Sequence, residues 1–316
     1  MGAPRKRSHS LWKGKSRVNP KPIIPTLPLH LMVWPGLLLI LVFNYGPILG
    51  LVMAFQKFYP ARGFLGSEWI GWTNFEYVFK LPDFKRALWN TLYIAVLKLV
   101  GHQVVSISIA LLINEAAKVI FRRAVQTLIY LPHFLSWVIL SGILIDILSP
   151  STGIVNDVIT FFGFEPIFFL ADNRWFPSVI ILSDIWKDFG FGTIVYFAAI
   201  LSINPALYEA ASIDGATRWQ KVRHVTLPGM LPIVVLLATL SLGKVLNAGF
   251  DQIFNLYSPI TYRSGDIIDT LVYRVGLEQA QFSVAAAVGL FKSAISFIMI
   301  CASYVLAYRY ANYRIF

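Results

Sequence analysis

Charged side chains occur within stretches of this sequence that are otherwise apolar. Four lysines share that setting, namely Lys98, Lys187, Lys244 and Lys292. Asp184 and Asp188 fall at helical spacing on one face with Lys187. A charge at the centre of a bilayer costs at least about 2.5 kcal/mol, so each of these side chains must face protein or water. The sequence therefore predicts charges that either neutralise one another or line a polar path.

A second polar pattern lies in a later apolar stretch. Lys244, Asn247 (or Ala248), Asp251 and Asn255 recur every three to four residues, which is the period of one helix face. Such a stripe indicates either a hydrogen-bonded seam between helices or a pathway. Amide and carboxylate groups can hydrogen-bond to a polar solute, so we favour a pathway. Trp186 beside Asp184 could line this pathway or simply pack between helices.

Motifs for catalysis are missing from the sequence. No Gly-rich loop followed by Lys-Ser or Lys-Thr is present, so we do not expect this chain to hydrolyse ATP. No His-x-x-x-His or paired-cysteine metal motif occurs, and the single Cys301 excludes an internal disulfide. An intramembrane enzyme would need a nucleophile and a base, and His102 and His133 have no evident partner. We expect no enzyme activity, no metal and no cofactor in this chain.

The composition indicates a membrane protein. Hydrophobic residues make up 57% of the chain and charged residues 14%, whereas soluble proteins have about 45–50% and roughly 25%. Six apolar stretches are long enough to span a bilayer, at residues 31–55, 87–114, 124–145, 175–203, 229–250 and 283–308. We therefore predict an all-α, polytopic membrane protein with a basic tail at 1–29 and a six-helix membrane domain at 30–316. Residues 154–170 are expected to form an external amphipathic helix and a loop.

Basic residues set the predicted orientation. Between the spans, 15 Lys and Arg residues fall on the side of the N-terminal tail and eight on the other. Cytoplasmic loops carry the excess of Lys and Arg, so both termini are predicted to be cytoplasmic. The net charge of +11 is explained by this topology and not by a nucleic-acid partner.

The loop between the fourth and fifth predicted spans, residues 204–228, contains signals for two short helices. Asn204 can cap the first helix, Pro205 fits its first position and Gly215 can end it. A second short helix can start at Thr217, and Leu227-Pro228 would turn the chain back into the membrane. A helix this short suits a groove on another protein, although an ordinary amphipathic connection has the same pattern.

The spacing within this loop resembles a known motif. Glu209-Ala210-Ala211, Gly215 and the Val225-Thr-Leu-Pro segment are similar to the EAA loop of binding-protein-dependent ABC importer permeases, with Val225 where Ile is usual. The resemblance implies that ATPase subunits dock on this loop. The matching positions are Glu209, Ala210, Ala211, Asp214 and Gly215.

Three later segments narrow the resemblance. Residues 247–255, 266–270 and 288–291 are similar to the permease branch that handles complex oligosaccharides and polysaccharides. The resemblance implies a type I ABC importer-like permease in the bacterial inner membrane. Its partners would be a second homologous permease (a heterodimer), two cytoplasmic ATPase subunits that bind ATP and Mg, and an extracytoplasmic sugar-binding protein.

The buried charges also suggest a substrate and a rival function. A path lined by the four lysines would favour acidic, uronate-type sugars, unless salt bridges to Asp184, Asp188 and Asp251 cancel their charge. The alternative is an ion-coupled secondary transporter that uses the buried Lys and Asp residues as a relay. That class usually has an internal repeat with paired broken helices, and no convincing repeat is evident.

Overall fold

The computed structural model describes residues 27–116, 118–243 and 245–311, and these are almost entirely helical. The chain forms two compact units that divide between Gly50 and Leu51. The first elements are α1 (Leu27–Ile40), a π-helical turn (Leu41–Tyr45) and a 3-10 helix (Gly46–Phe55). A short antiparallel pair follows, in which β1 (Gln56–Lys57) pairs with β2 (Glu68–Trp69) and α2 (Gly63–Gly66) lies between them.

Long helices form the body of the second unit. They are α4 (Pro82–Glu115), α8 (Phe176–Leu201), α11 (Leu227–Leu242) and α15 (Phe282–Ala311), preceded by the shorter α3 (Thr73–Lys80). Helix α4 packs along α8, and α11 packs against α8 and α15. Within the described chain, four helices are long and apolar enough to cross a membrane, and the count reaches six if each of two bent pairs forms one span. The predicted all-α polytopic fold is confirmed.

The third predicted span is broken. Residues 124–145 were expected to form one helix, but the chain bends by 103° before α6 (Trp137–Ile147). The first arm of the bend is α5 (Val119–Tyr130) with the 3-10 turn that continues it (Leu131–Phe134). Pro132 lies in that turn and lacks the N–H that a continuous helix would need. Ser136 then caps α6 by accepting a hydrogen bond from the Ile139 amide. The second bent pair joins α8 to α9 (Pro205–Ile213) at 67°.

The fifth predicted span is also interrupted. Residues 229–250 were expected to be one helix, but α11 ends at Leu242 and α12 (Phe250–Leu256) is separate. Gly249, just before α12, has a φ of +98°, which no helix allows. At its other end α11 begins earlier than predicted. It continues α10 (Arg218–Lys221) through a π turn (Val222–Thr226), so the chain does not turn at Leu227-Pro228.

Short helices complete the second unit: α7 (Ile154–Phe161), a 3-10 turn (Pro259–Thr261), α13 (Tyr262–Gly265), α14 (Ile268–Tyr273) and a π turn (Arg274–Glu278). Helix α7 is a short helix and not a span, as the sequence predicted. Three clusters of buried apolar residues lie around Phe84, Ile180 and Met230. The cluster around Ile180 joins α4 and α8 to the segment between α11 and α12. The interruption of the fifth predicted span is therefore packed against these two long helices.

Candidate functional site

A polar cavity of about 700 Å³ lies between α4, α8, α11 and the segment that links α11 to α12. Its charged and amide side chains come from four parts of the fold: α4, the 3-10 turn before α6, α8 and the segment between α11 and α12. They are Lys98, His102, Gln103, His133, Asp184, Asp188 and Asn247. We call this space the polar cavity. It brings residues from widely separated parts of the sequence to one site among the membrane helices.

Lys98 is at the centre of the first charge group. Its side chain is 7% exposed, and its ammonium donates to Asp184 Oδ1 (3.0 Å), Ala248 O (2.7 Å) and Gln252 Oε1 (2.5 Å). An ammonium has three hydrogens, so all of its donors are used within the protein. Lys98 therefore joins α4 to α8 and to the start of α12, and it offers no free charge to a substrate.

The interruption before α12 is built around this lysine. The Ala248 carbonyl reaches the ammonium because the helix stops and Gly249 takes a left-handed conformation. A Cβ on Gly249 would lie 3.0 Å from Lys98 Nζ, so only glycine fits both the backbone and the contact. Gln252 also donates to Ile180 O at 2.8 Å, which ties α12 to α8.

Two histidines complete the charge groups on α8. His102 Nε2 lies 2.9 Å from Asp184 Oδ2, and His133 Nδ1 lies 2.7 Å from Asp188 Oδ1. The His133 ring also stacks on Phe191 at 5.0 Å between centroids. The prediction that neither histidine has a partner is wrong, because each partner carboxylate lies on α8, more than 50 residues away in sequence.

Lys187 and Lys292 are paired as well. Lys187 donates to His133 O at 2.8 Å and lies 3.8 Å from Asp188, so it holds the break between α5 and α6. Lys292 donates to Asp269 at 2.5 Å and to Asn247 Oδ1 at 3.0 Å. Of the two alternatives, mutual neutralisation describes these lysines: Lys98 pairs with Asp184, Lys187 with Asp188 and Lys292 with Asp269, and Asp269 was not among the expected partners.

The predicted path residues separate into two groups. Lys98, Asp184, Asp188 and Asn247 line the polar cavity. Trp186, Lys187, Asp251 and Asn255 are not among its lining residues, and Lys244 lies outside the described residues. Because α11 ends before Asn247, Asn247 lies outside any helix and does not share a helix face with Asp251 and Asn255, which are on α12. Gln252 was missed, and only its position beside Asp251 could have indicated it.

A metal ion would find some suitable ligands in the polar cavity. Ligand atoms of His102, Asp184 and Asp188 all lie within 4.8 Å of one another. The Lys98 ammonium, however, is 3.0 Å from Asp184 and would repel a cation bound there. The arrangement instead joins these side chains in hydrogen bonds and ion pairs within the protein.

The 204–228 loop has the local structure that the sequence predicted for its first half. Asn204 Oδ1 accepts from the Ala206 amide at 3.0 Å, and Gly215 has a φ of +75°. The Ala216 amide then donates to Ala211 O at 2.9 Å, which closes the end of α9. Thr217 and Gln220 form a capping box at the start of α10.

Side-chain bonds hold this loop as one body. Tyr208 bonds to Thr226 at 2.9 Å, and Lys221 donates to Ser212 at 2.7 Å. Glu209, Ala210, Asp214 and Gly215 are exposed, and Ala211 is half-buried. Large apolar side chains are exposed beside them, including Ile213 at 86% and Trp219 at 69%. A rigid short helix with an apolar border can insert into a groove on a partner protein.

The matches to known proteins include both the polar cavity and the 204–228 loop. A family described as binding-protein-dependent transport system inner membrane component matches residues 103–313. The polygalacturonan/rhamnogalacturonan transport system permease protein YteP of Bacillus subtilis (strain 168) is 42% identical over 288 residues, which cover 91% of this chain and 90% of YteP. Protein LplB of the same organism is 39% identical over 288 residues, covering 91% of each chain.

Solved structures agree with these matches. A chain in the crystal structure of a bacterial ABC transporter involved in the import of the acidic polysaccharide alginate has a TM-score of 0.84 at 41% identity, covering 91% of this chain and 97% of that one. A second crystal structure shows a bacterial alginate ABC transporter in complex with an alginate pentasaccharide-bound periplasmic protein. Its matching chain has a TM-score of 0.83 at 40% identity, covering 91% and 96%.

Proposed function

This chain belongs to the inner membrane components of binding-protein-dependent transport systems, and from that premise we propose that it forms part of an ATP-driven importer for oligosaccharides or polysaccharide fragments. Uronate-type sugars are the proposed class. YteP is named for polygalacturonan and rhamnogalacturonan, and the structural relative is described as an importer of acidic alginate. The cargo enters the cytoplasm after delivery by an extracytoplasmic binding protein.

One observation carries this proposal: a single helix connects the polar cavity with the 204–228 loop. Helix α8 supplies Asp184 and Asp188 to the cavity and runs on to Leu201, directly before α9. From Asp188 to Leu201 the helix rises about 20 Å. Because a helix is stiff over that length, a displacement of α9 by a partner would reach the cavity walls. The loop thereby couples ATP-driven motion to the opening of the path.

The partners follow from this coupling. We propose that two cytoplasmic ATPase subunits bind ATP and Mg, and that one of them holds α9 in a groove. A second homologous permease completes the path, and both termini of this chain face the cytoplasm. Glu209, Ala210, Ala211, Asp214 and Gly215 form the docking surface, of which Asp214 and Gly215 shape the end of the helix.

The cavity supports recognition of hydroxyl groups more than of charge. Lys98, Lys187 and Lys292 each have an anionic neighbour within 4.0 Å, so they contribute little free positive charge to a path. Amides, imidazoles and shared carboxylates remain, and these accept and donate hydrogen bonds to sugar hydroxyls. Three of the four lysines therefore do not support the hypothesis that free lysines select acidic sugars. The fourth, Lys244, lies outside the described residues.

Co-purification tests the proposed function directly. The ATPase subunits should co-purify with the wild-type chain and should be lost with Glu209→Ala or Gly215→Val. Glu165→Ala is the matched control, because Glu165 is exposed on a loop elsewhere in the chain. Uptake that follows an ion gradient and continues without any ATPase would instead support the secondary transporter. ATPase retained equally by all variants would remove the docking role of the loop.

A further inference from the structure

A second cleft lies at the opposite end of α8 from the 204–228 loop. It has a volume of about 540 Å³ and is formed by the start of α4, the segment before α8 and α13. Among the residues that line it are Trp89, Asn90, Tyr93, Asn173, Arg174 and Arg263. We call it the arginine cleft. Helix α8 has 26 residues and is therefore about 39 Å long, so the cleft and α9 lie at opposite faces of a membrane.

Two arginines give the cleft its charge. Arg174 and Arg263 are exposed, and neither guanidinium has a hydrogen bond or ion pair to the residues that the structure describes. Neighbouring arginines differ in this respect, because Arg86 pairs with Asp83 and Arg274 pairs with Asp266. Asp172 also lines the cleft and accepts from the Arg174 amide at 2.8 Å. Two cations against one carboxylate leave the cleft with net positive charge.

The floor of the cleft holds both arginines in place. Asn90 donates to the Arg263 carbonyl at 3.2 Å and to Asp266 O at 3.0 Å. Asn173 donates to Ile260 O at 2.8 Å and accepts from Ser264 Oγ at 2.9 Å. These bonds fix the backbone beside each guanidinium, so a ligand would meet a site that is already formed.

Aromatic rings border the same space. Trp89 and Tyr93 are one helical turn apart on α4 and are 68% and 45% exposed. Aromatic residues are frequent at membrane interfaces, so exposure alone would not indicate a ligand. Here both rings line a concave cleft together with free guanidinium groups. A sugar ring offers its C–H face to an aromatic ring, and a uronate adds a carboxylate that a guanidinium binds through two parallel hydrogen bonds.

We propose that the arginine cleft is an entry subsite for uronate-containing oligosaccharides. Arg174 and Arg263 bind carboxylates, while Trp89 and Tyr93 stack on the sugar rings. The volume lies in the range of small-ligand pockets, about 300–1,000 Å³. The inference rests on the proposed function, which places α9 in the cytoplasm and the cleft on the side where sugar arrives. It assigns the acidic preference to this cleft, since the described lysines of the membrane interior are neutralised.

Binding measurements on the complete transporter test the subsite. The complex, with its second permease and ATPases, is placed in zwitterionic lipid nanodiscs without binding protein. Fluorescently labelled trigalacturonate and neutral galactotriose are then titrated. Exposed ion pairs are individually weak, so removing two of them with Arg174→Gln and Arg263→Gln should weaken trigalacturonate binding about two- to thirtyfold. Galactotriose binding should stay within about twofold. Arg86→Gln, the matched control, should change neither, and Trp89→Leu should weaken both.

Several outcomes would overturn the subsite. The first is that the double variant binds trigalacturonate as tightly as wild type does. The second is that the double variant loses the same affinity for trigalacturonate and for galactotriose. Full competition by anionic lipid added to the nanodiscs would show that the cleft holds a lipid headgroup. An equal loss in docking of unloaded binding protein would show a protein contact. A wild-type complex whose ATPase responds to no saccharide, even with binding protein, would instead contradict the proposed function itself.

Discussion

Replacing Lys98 with methionine should destabilise the membrane domain more than any other change at a described lysine. Methionine keeps most of the side-chain volume but removes the ammonium that bonds to Asp184, Ala248 and Gln252. The Asp184 side chain is only 14% exposed, so its carboxylate would lose an ion-pair partner in a buried place. Breaking a buried pair from one side costs about 3–5 kcal/mol.

For Lys98→Met we expect a loss of stability at the lower end of this range. Asp184 keeps its bond to His102 at 2.9 Å, so its charge is not left wholly uncompensated. We expect about 3 kcal/mol, which corresponds to a fall in Tm of roughly 6–12 °C. The assay is thermal unfolding of the detergent-solubilised protein, followed by fluorescence-detected size exclusion. Lys85→Met is the matched control, because Lys85 is exposed on the same helix and should change stability by less than about 0.5 kcal/mol.

A double variant separates loss of the ion pair from loss of packing. Adding Asp184→Asn to Lys98→Met removes the carboxylate that the first change leaves behind. The combined loss should therefore be smaller than the sum of the single losses by at least about 1 kcal/mol. Strict additivity, or an equal Tm for Lys98→Met and Lys85→Met, would refute the conclusion that this lysine fixes the interruption before α12.

Three further predictions concern the loop and the side of the arginine cleft. Gly215→Val should lower the free energy of unfolding by about 1–2 kcal/mol, because the residue has a φ of +75°. Calorimetry of the purified chain tests this, and a Tm equal to that of wild type would contradict it. Arg274→Lys should cost about 2 kcal/mol, because Arg274 donates to both carboxylate oxygens of buried Asp266. Although burial acts to lower it, the bond to Asp266 raises the pKa of Arg274, so Arg274 stays charged and its stabilisation is complete throughout the neutral pH range. The loss should therefore be equal at pH 6 and pH 9 in chemical denaturation. Burial raises the pKa of the Tyr257 hydroxyl above its ordinary value of 10.0, so its contribution is complete below pH 10 and is lost above it. Wild type should then lose more stability between pH 9 and pH 11 than Tyr257→Phe, as measured by alkaline unfolding, and identical curves would contradict the assignment.

Neutralised lysines change how the path can work. A row of free ammonium groups would hold an acidic polymer and slow its release. The described lysines instead join helices at their interruptions: Lys98 beside α12 and Lys187 beside the turn between α5 and α6. Interrupted helices are places where packed elements can shift between two arrangements. The charges of the polar cavity therefore hold the interrupted helices together, and carboxylate recognition is proposed at the arginine cleft.

Local sequence was sufficient for the features that depend on few neighbouring residues. Apolar length predicted the membrane helices, because a span must satisfy its own backbone hydrogen bonds. Asn204, Gly215 and Thr217 predicted the ends of α9 and the start of α10, since capping involves only residues two to four positions apart. The spacing from Glu209 onward was enough to indicate the family, which the comparisons confirm.

Tertiary structure decided which charges meet. The stripe after Lys244 fitted a helix period, but Gly249 is left-handed, and the Ala248 carbonyl beside it accepts a hydrogen bond from Lys98, which lies 151 positions before Gly249. His102 pairs with Asp184 across 82 positions. Such partners lie on separate helices. The spacing of polar residues within one helix does not show which residue of a neighbouring helix will lie opposite them. Sequence alone thus determined the apolar membrane segments, the ends of α9 and the family. Tertiary structure decided where the third and fifth predicted spans are interrupted and which buried charges pair, because the packing of α4 against α8 brings together residues that are far apart in sequence.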